Sequence, residues 1–122
     1  MASATTAQRL AAYERQYRQI AAQVADIGFI CSGTVLHRYT RCGNPRCACH
    51  TDPDRRHGPY WQWTTKVNGK TVTRRLTATE AVLYKEWIAN DRQLRKLTAQ
   101  MRTIANKATA LILKDASPPA KV

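Results

Sequence analysis

Cys42-Gly43-Asn44-Pro45-Arg46-Cys47-Ala48-Cys49, followed by His57-Gly58-Pro59-Tyr60, is the stretch that decides how the middle of this chain folds. It holds three of the four cysteines, spaced C-x4-C-x-C-x7-H. Three thiols and an imidazole in this pattern point to tetrahedral zinc, for which Cys3His is a common ligand set. Gly43 and Pro45 favour a tight turn that returns Cys42 toward the other two thiols. Cys47 and Cys49 point the same way if the backbone between them is extended, because side chains alternate along a strand. The expected ligands of one Zn2+ are therefore Cys42, Cys47, Cys49 and His57. His50 is the alternative fourth ligand, but His57 opens a Gly-Pro turn and is better placed to close the site.

Other uses of these cysteines fit less well. Disulfides need an oxidising compartment, and residues 1–8 have neither the charged start nor the apolar run of a secretory signal, so a cytoplasmic location is expected. A catalytic thiol is usually a lone cysteine with a separated histidine, and a redox role for the cluster is a minor alternative. Cys31 stands apart at the edge of the apolar run Ile27–Ile30 and reads as a buried free thiol. Size supports the metal. At 122 residues the chain is one compact domain or less. The middle segment (32–76) has little core of its own, and metal binding would contribute directly to its folding. No spare ligand pattern suggests an open coordination position.

Charge points to a partner. Lys and Arg number 20 against 8 acidic residues, a formal net charge of +12. Self-repulsion at that charge opposes compactness and suits a polyanion. The excess is concentrated between His37 and Arg75, where nine basic residues face only Asp52 and Asp54. Phosphate contacts are expected from Arg38, Arg41, Arg46, Arg55, Arg56, Lys66, Lys70 and Arg75, with DNA as the expected partner. No helix joins a basic face to a Trp/Phe/Leu face, so membrane binding is not expected.

Around the cysteines the chain reads as helix, strands, helix. Residues 5–27 carry Leu10, Tyr13, Tyr17, Ile20, Val24 and Ile27 in alternating steps of three and four, a heptad seam, with Gly28 as its stop. Thr34–Tyr39 alternates as one strand. Tyr60–Val67 and Lys70–Leu76 flank Asn68-Gly69, the preferred type I′ turn dipeptide. That turn pairs Val67 with Lys70, Thr65 with Val72, Trp63 with Arg74 and Trp61 with Leu76. The tryptophan face should be buried, with Arg74 over Trp63 as a cation–π pair. The opposite face, with Gln62, Thr64, Lys66, Thr71, Thr73 and Arg75, is polar and basic, and a β-ribbon of this kind can enter a DNA major groove. Thr77-Ala-Thr-Glu80 is a capping box. It opens a long helix whose seam runs Leu83, Trp87, Asn90, Leu94, Leu97, Met101, Ile104, Ala108 and Leu111. Asn90 interrupts this seam and is expected to set register or partner choice. Ser117-Pro-Pro-Ala ends the helix and begins a disordered tail.

These elements predict an α+β chain in which a small zinc-stapled β-hairpin or three-strand head (32–76) lies between two long helices. The helices (1–31 and 77–115, with a tail at 116–122) would pair as an antiparallel hairpin within one structural domain. The longer seam leaves Leu94, Leu97, Met101, Ile104 and Leu111 as candidates for a homodimer or a helical protein partner.

The string Cys42-Gly43-x3-Cys47-x-Cys49…His57-Gly58-Pro59-Tyr60-Trp61…Gly69-Lys70, with the long helix after it, resembles a widespread family of small bacterial proteins. Its members are often encoded beside recombinases or transposases of mobile elements. The resemblance spans about residues 27–100 and implies Cys42, Cys47, Cys49 and His57 as ligands. It argues against Cys31, where members do not generally carry a cysteine. It implies no activity. There is no Ser/His/Asp set, close carboxylate pair or phosphate loop, so neither an enzyme nor a small-molecule substrate is expected. Two functions stay open: a DNA-binding accessory protein, or an adaptor whose long helix docks a recombinase or other partner.

Overall fold

The structure is a computed structural model and describes residues 4–116; the tail expected from Ser117 onward lies outside them. Its elements are α1 (Thr6–Ala25), β1 (Thr34–Thr40), two 3₁₀ turns (Ala48–His50 and Pro53–Arg55), β2 (His57–Val67), β3 (Lys70–Leu76) and α2 (Ala78–Ala116). They fall into two compact units: residues 28–91, which hold the sheet and the cysteine loop, and, of the described residues, those before 28 together with those after 91. No helix among the described residues is long and apolar enough to cross a membrane.

The sheet unit follows from local chemistry. Asn68 and Gly69 both take positive φ, 51° and 79°, as a type I′ turn requires. The turn sets the expected register, Val67 to Lys70 through Trp61 to Leu76. β1 joins antiparallel on the other side, giving the order β1-β2-β3, with Val35 opposite Trp63 and His37 opposite Trp61. His37 stacks on Trp61 at 3.9 Å between ring centroids. Gly33 must be glycine. Its φ is +114°, and a Cβ there would lie 2.5 Å from the Thr64 carbonyl oxygen. That close approach lets Trp63 Nε1 donate to the Ser32 carbonyl at 2.9 Å.

Only Thr77 separates the end of β3 from the start of α2, which the expected box holds. The Glu80 backbone N–H donates to Thr77 Oγ1 at 3.1 Å, and the Thr77 N–H donates to Glu80 Oε1 at 2.9 Å. This abrupt start sets the helix phase. Leu76, Ala81 and Ile88 are buried at 5%, 1% and 6% exposure, and Tyr84 packs against Trp63, with ring centroids 5.0 Å apart. Leu83, expected to open the seam, is 41% exposed. Arg74 does not lie over Trp63 either; it reaches Glu80 at 3.2 Å and Tyr84 Oη at 3.4 Å. The cation–π contacts are instead Lys85 over Trp61 (4.2 Å) and Arg75 over Tyr60 (3.8 Å). Asn90 takes an intrachain role. Its Nδ2 donates to the Phe29 carbonyl at 2.8 Å, and a side chain on Gly28 would come within 3.1 Å of that nitrogen.

The α+β class stands, but the expected hairpin of two helices flanking a head does not form. α2 is not a flank: residues 78–91 belong to the sheet unit, where Ala81 and Ile88 are buried. α1, capped by a Thr5/Gln8 box, buries none of its residues. A zippered seam would have buried Leu10, Tyr13, Tyr17 and Ile20, all of which remain half-buried. The physical reason is competition. Trp61, Trp63 and Leu76 offer the first turns of α2 an apolar surface immediately after the cap, before any distant helix can claim it.

Candidate metal centre

The site is built at the open end of the β1–β2 pair. Thr40 pairs with His57, so Cys42, two residues past β1, emerges beside the first residue of β2. The register shifts between Arg38 and Thr40, opposite Gly58, whose φ is +118° and whose missing Cβ would lie 3.0 Å from the Arg38 carbonyl oxygen. Gly58-Pro59 thus shapes a bulge inside the strand rather than a turn after His57.

Asn44 folds the loop back. Its Oδ1 accepts from the Arg46 N–H at 3.0 Å, and its carbonyl accepts from the Cys47 N–H at 3.0 Å, an Asx turn closed by a backbone turn. Cys47 keeps extended backbone and caps the 3₁₀ turn Ala48–His50. The thiols of Cys47 and Cys49 therefore converge through a tight turn rather than an extended step. The donor atoms of Cys42, Cys47, Cys49 and His57 all lie within 4.8 Å of one another. Cys49 Sγ lies 3.6 Å from Cys42 Sγ, and Cys47 Sγ lies 3.4 Å from His57 Nε2. Ligands at ~2.3 Å from a tetrahedral metal are about 3.8 Å apart, so the spacing and the donor set are compatible with a bound metal.

The thiols are electrostatically unequal. The Cys49 backbone N–H, and then the His57 side chain, pull the Cys47 thiol down to about 6. Burial pushes Cys49 up; it is 1% exposed. The Cys42 N–H donates to Cys49 Sγ at 3.3 Å, a contact that favours the thiolate. His50 is not in the cluster. Its Nε2 lies 2.8 Å from the Cys42 carbonyl oxygen, which can only accept, so His50 donates and braces the Cys42 backbone. Sequence reasoning missed this brace, and no spacing signal in the loop would have told it from a ligand. Cys31 lies outside the cluster, its thiol raised by partial burial and then by Asp91.

The expected phosphate-binding residues are all exposed, but they do not form one surface. Arg38, Arg41 and Arg56 line a single cleft of ≈ 440 Å3 with Tyr39 and Thr40. Arg55 is paired with Asp52 at 3.7 Å, and Arg75 lies on Tyr60. Lys66 faces Thr71 on the polar side of the sheet, whereas Lys70 faces Val67 on the tryptophan side. Arg46 sits in the Asn44 turn. Among the expected partner-seam residues Leu97 is already buried within the chain at 3% exposure, and Leu94, Met101, Ile104 and Leu111 are half-buried.

No curated protein and no solved structure matches the chain. The cysteine loop, the sheet and the first turns of α2 all fall within residues 10–86, which match Domain of unknown function (DUF6788), and the chain belongs to that family.

Proposed function

We infer that this is a non-enzymatic, zinc-stapled DNA-binding accessory protein. Zinc is supported by the Cys3His set: four protein donors complete its usual coordination, which suits a structural metal rather than one that activates water. The metal would tie the ends of β1 and β2 together and hold the loop that carries Arg41 and Arg56. The observation that carries the DNA reading is the convergence of Arg38, Arg41 and Arg56 on one cleft. Among the described residues none of the three has an ion-pair partner, whereas Arg55 and Arg74 each have a carboxylate. Three guanidiniums held together without a counter-charge favour binding an anion, and phosphate is the anion that Arg recognises best. The resemblance to proteins encoded beside recombinases and transposases supports a place in DNA exchange.

The test compares two triple variants. Arg38, Arg41 and Arg56 changed to Gln should weaken DNA binding far more than Arg102, Lys107 and Lys114 changed to Gln. Wild-type affinity should fall with salt at a slope near ~0.9 per phosphate contacted. Equal losses in the two variants, or no binding near ~0.1 M salt, would leave the second reading. In that reading α2 docks a helical protein or a second copy, supported by the half-buried Met101, Ile104 and Leu111.

A further inference from the structure

Tyr39 stands among the three arginines of the cleft and is 59% exposed. It lies where β1 loses regular register, between Arg38 and Thr40. Tyr60, by contrast, is already covered by the Arg75 guanidinium, and Trp61 lies between His37 and Lys85. Trp63 is occupied by Tyr84. Tyr39 is thus an exposed ring with no stacking partner among the contacts of the described residues, and it sits beside three unpaired guanidiniums.

We propose that this cleft takes an unstacked nucleotide of single-stranded DNA, with Arg38, Arg41 and Arg56 on the phosphates and Tyr39 against the base. The inference rests on the DNA-binding reading and narrows it. Bases in a duplex are already stacked and present a ring only their edges, so Tyr39 would gain nothing from one. A single strand offers a free π-face, and a basic groove lined with aromatic rings is the usual way to hold it. Thr40 lines the same cleft. The expected major-groove approach would instead use Lys66, Gln62 and the threonines of the hairpin face, which lie away from Tyr39 along the strands.

The test is fluorescence anisotropy on the full-length, zinc-loaded chain. The probes are a labelled oligonucleotide of about twelve nucleotides, within the site sizes of single-strand binders, and the same sequence as a duplex. The single strand should bind more tightly than the duplex. Tyr39→Leu should lose about 5- to 100-fold on the single strand and little on the duplex, while Tyr39→Phe keeps its affinity. Circular dichroism and zinc content confirm that each variant is folded. If the duplex binds as well as the single strand and Tyr39→Leu changes neither, the single-strand inference is overturned while DNA binding stands. If neither probe binds, both fall.

Discussion

At the scale of single residues, the Cys3His cluster depends on its supports as much as on its four members. His50 holds the Cys42 carbonyl at 2.8 Å, and partners that hold a ligand's backbone or side chain commonly matter 10- to 100-fold to metal affinity. His50→Ala should therefore weaken zinc about 10-fold or more in competition with a chelator, while the bound stoichiometry stays at one. Loss of the metal altogether would instead make His50 a ligand. Cys49→Ser should abolish binding, since Cys49 is the buried donor. The clustering of Cys42, Cys47, Cys49 and His57 was legible from their spacing, with His50 left as the alternative fourth member. The brace was not, because a histidine in a loop carries no periodicity that tells a ligand from a support. Tyr39 was hidden for a related reason: strand alternation assigns it a face but does not say which side chains line the cleft with it.

At the scale of elements, the capping box of α2 carries a pH dependence. The Thr77 backbone N–H, then the Thr77 hydroxyl and Arg74, hold Glu80 below the usual carboxylate range. A carboxyl whose pKa is lower in the folded state stabilises the fold above its unfolded pKa and loses that contribution as pH falls through the folded value. The urea midpoint of the wild type should therefore drop between pH 6 and pH 3 by more than that of Glu80→Gln, in which nothing titrates at this position. Thr77→Ala should cost about 1 kcal/mol at neutral pH. An identical acid response in wild type and Glu80→Gln would assign the acid loss to other groups. The cap and the β2–β3 register were readable because both are local codes, a Thr-x-x-Glu and an Asn-Gly. The helix partner was not. A heptad pattern states that one face of α2 will be covered, but not by what. Leu76, beside the cap, and Trp63, against which Tyr84 packs, cover its first turns.

At the scale of the whole molecule, all three tryptophans (Trp61, Trp63 and Trp87) lie in the sheet unit, residues 28–91. Chelation should therefore change tryptophan emission strongly while much of the helical circular dichroism from α1 and residues 92–116 persists. Joint loss of both signals would mean that the two units unfold as one. The metal's position has a further consequence, in time rather than in stability. β2 and β3 are joined by a two-residue turn and can find each other within microseconds. β1 and β2 are separated by residues 41–56, and the entropy of closing such a loop must be met before any of their pairs form. Cys42 and His57 stand at the two mouths of that loop, so a zinc ion captured there, as proposed, would bring the strand ends together first. The slow event in refolding would then be a collision with a metal ion. Refolding followed by tryptophan emission should speed up with free zinc until loop closure is no longer limiting, and a chain made faster than zinc is supplied would wait as a bare β2–β3 hairpin.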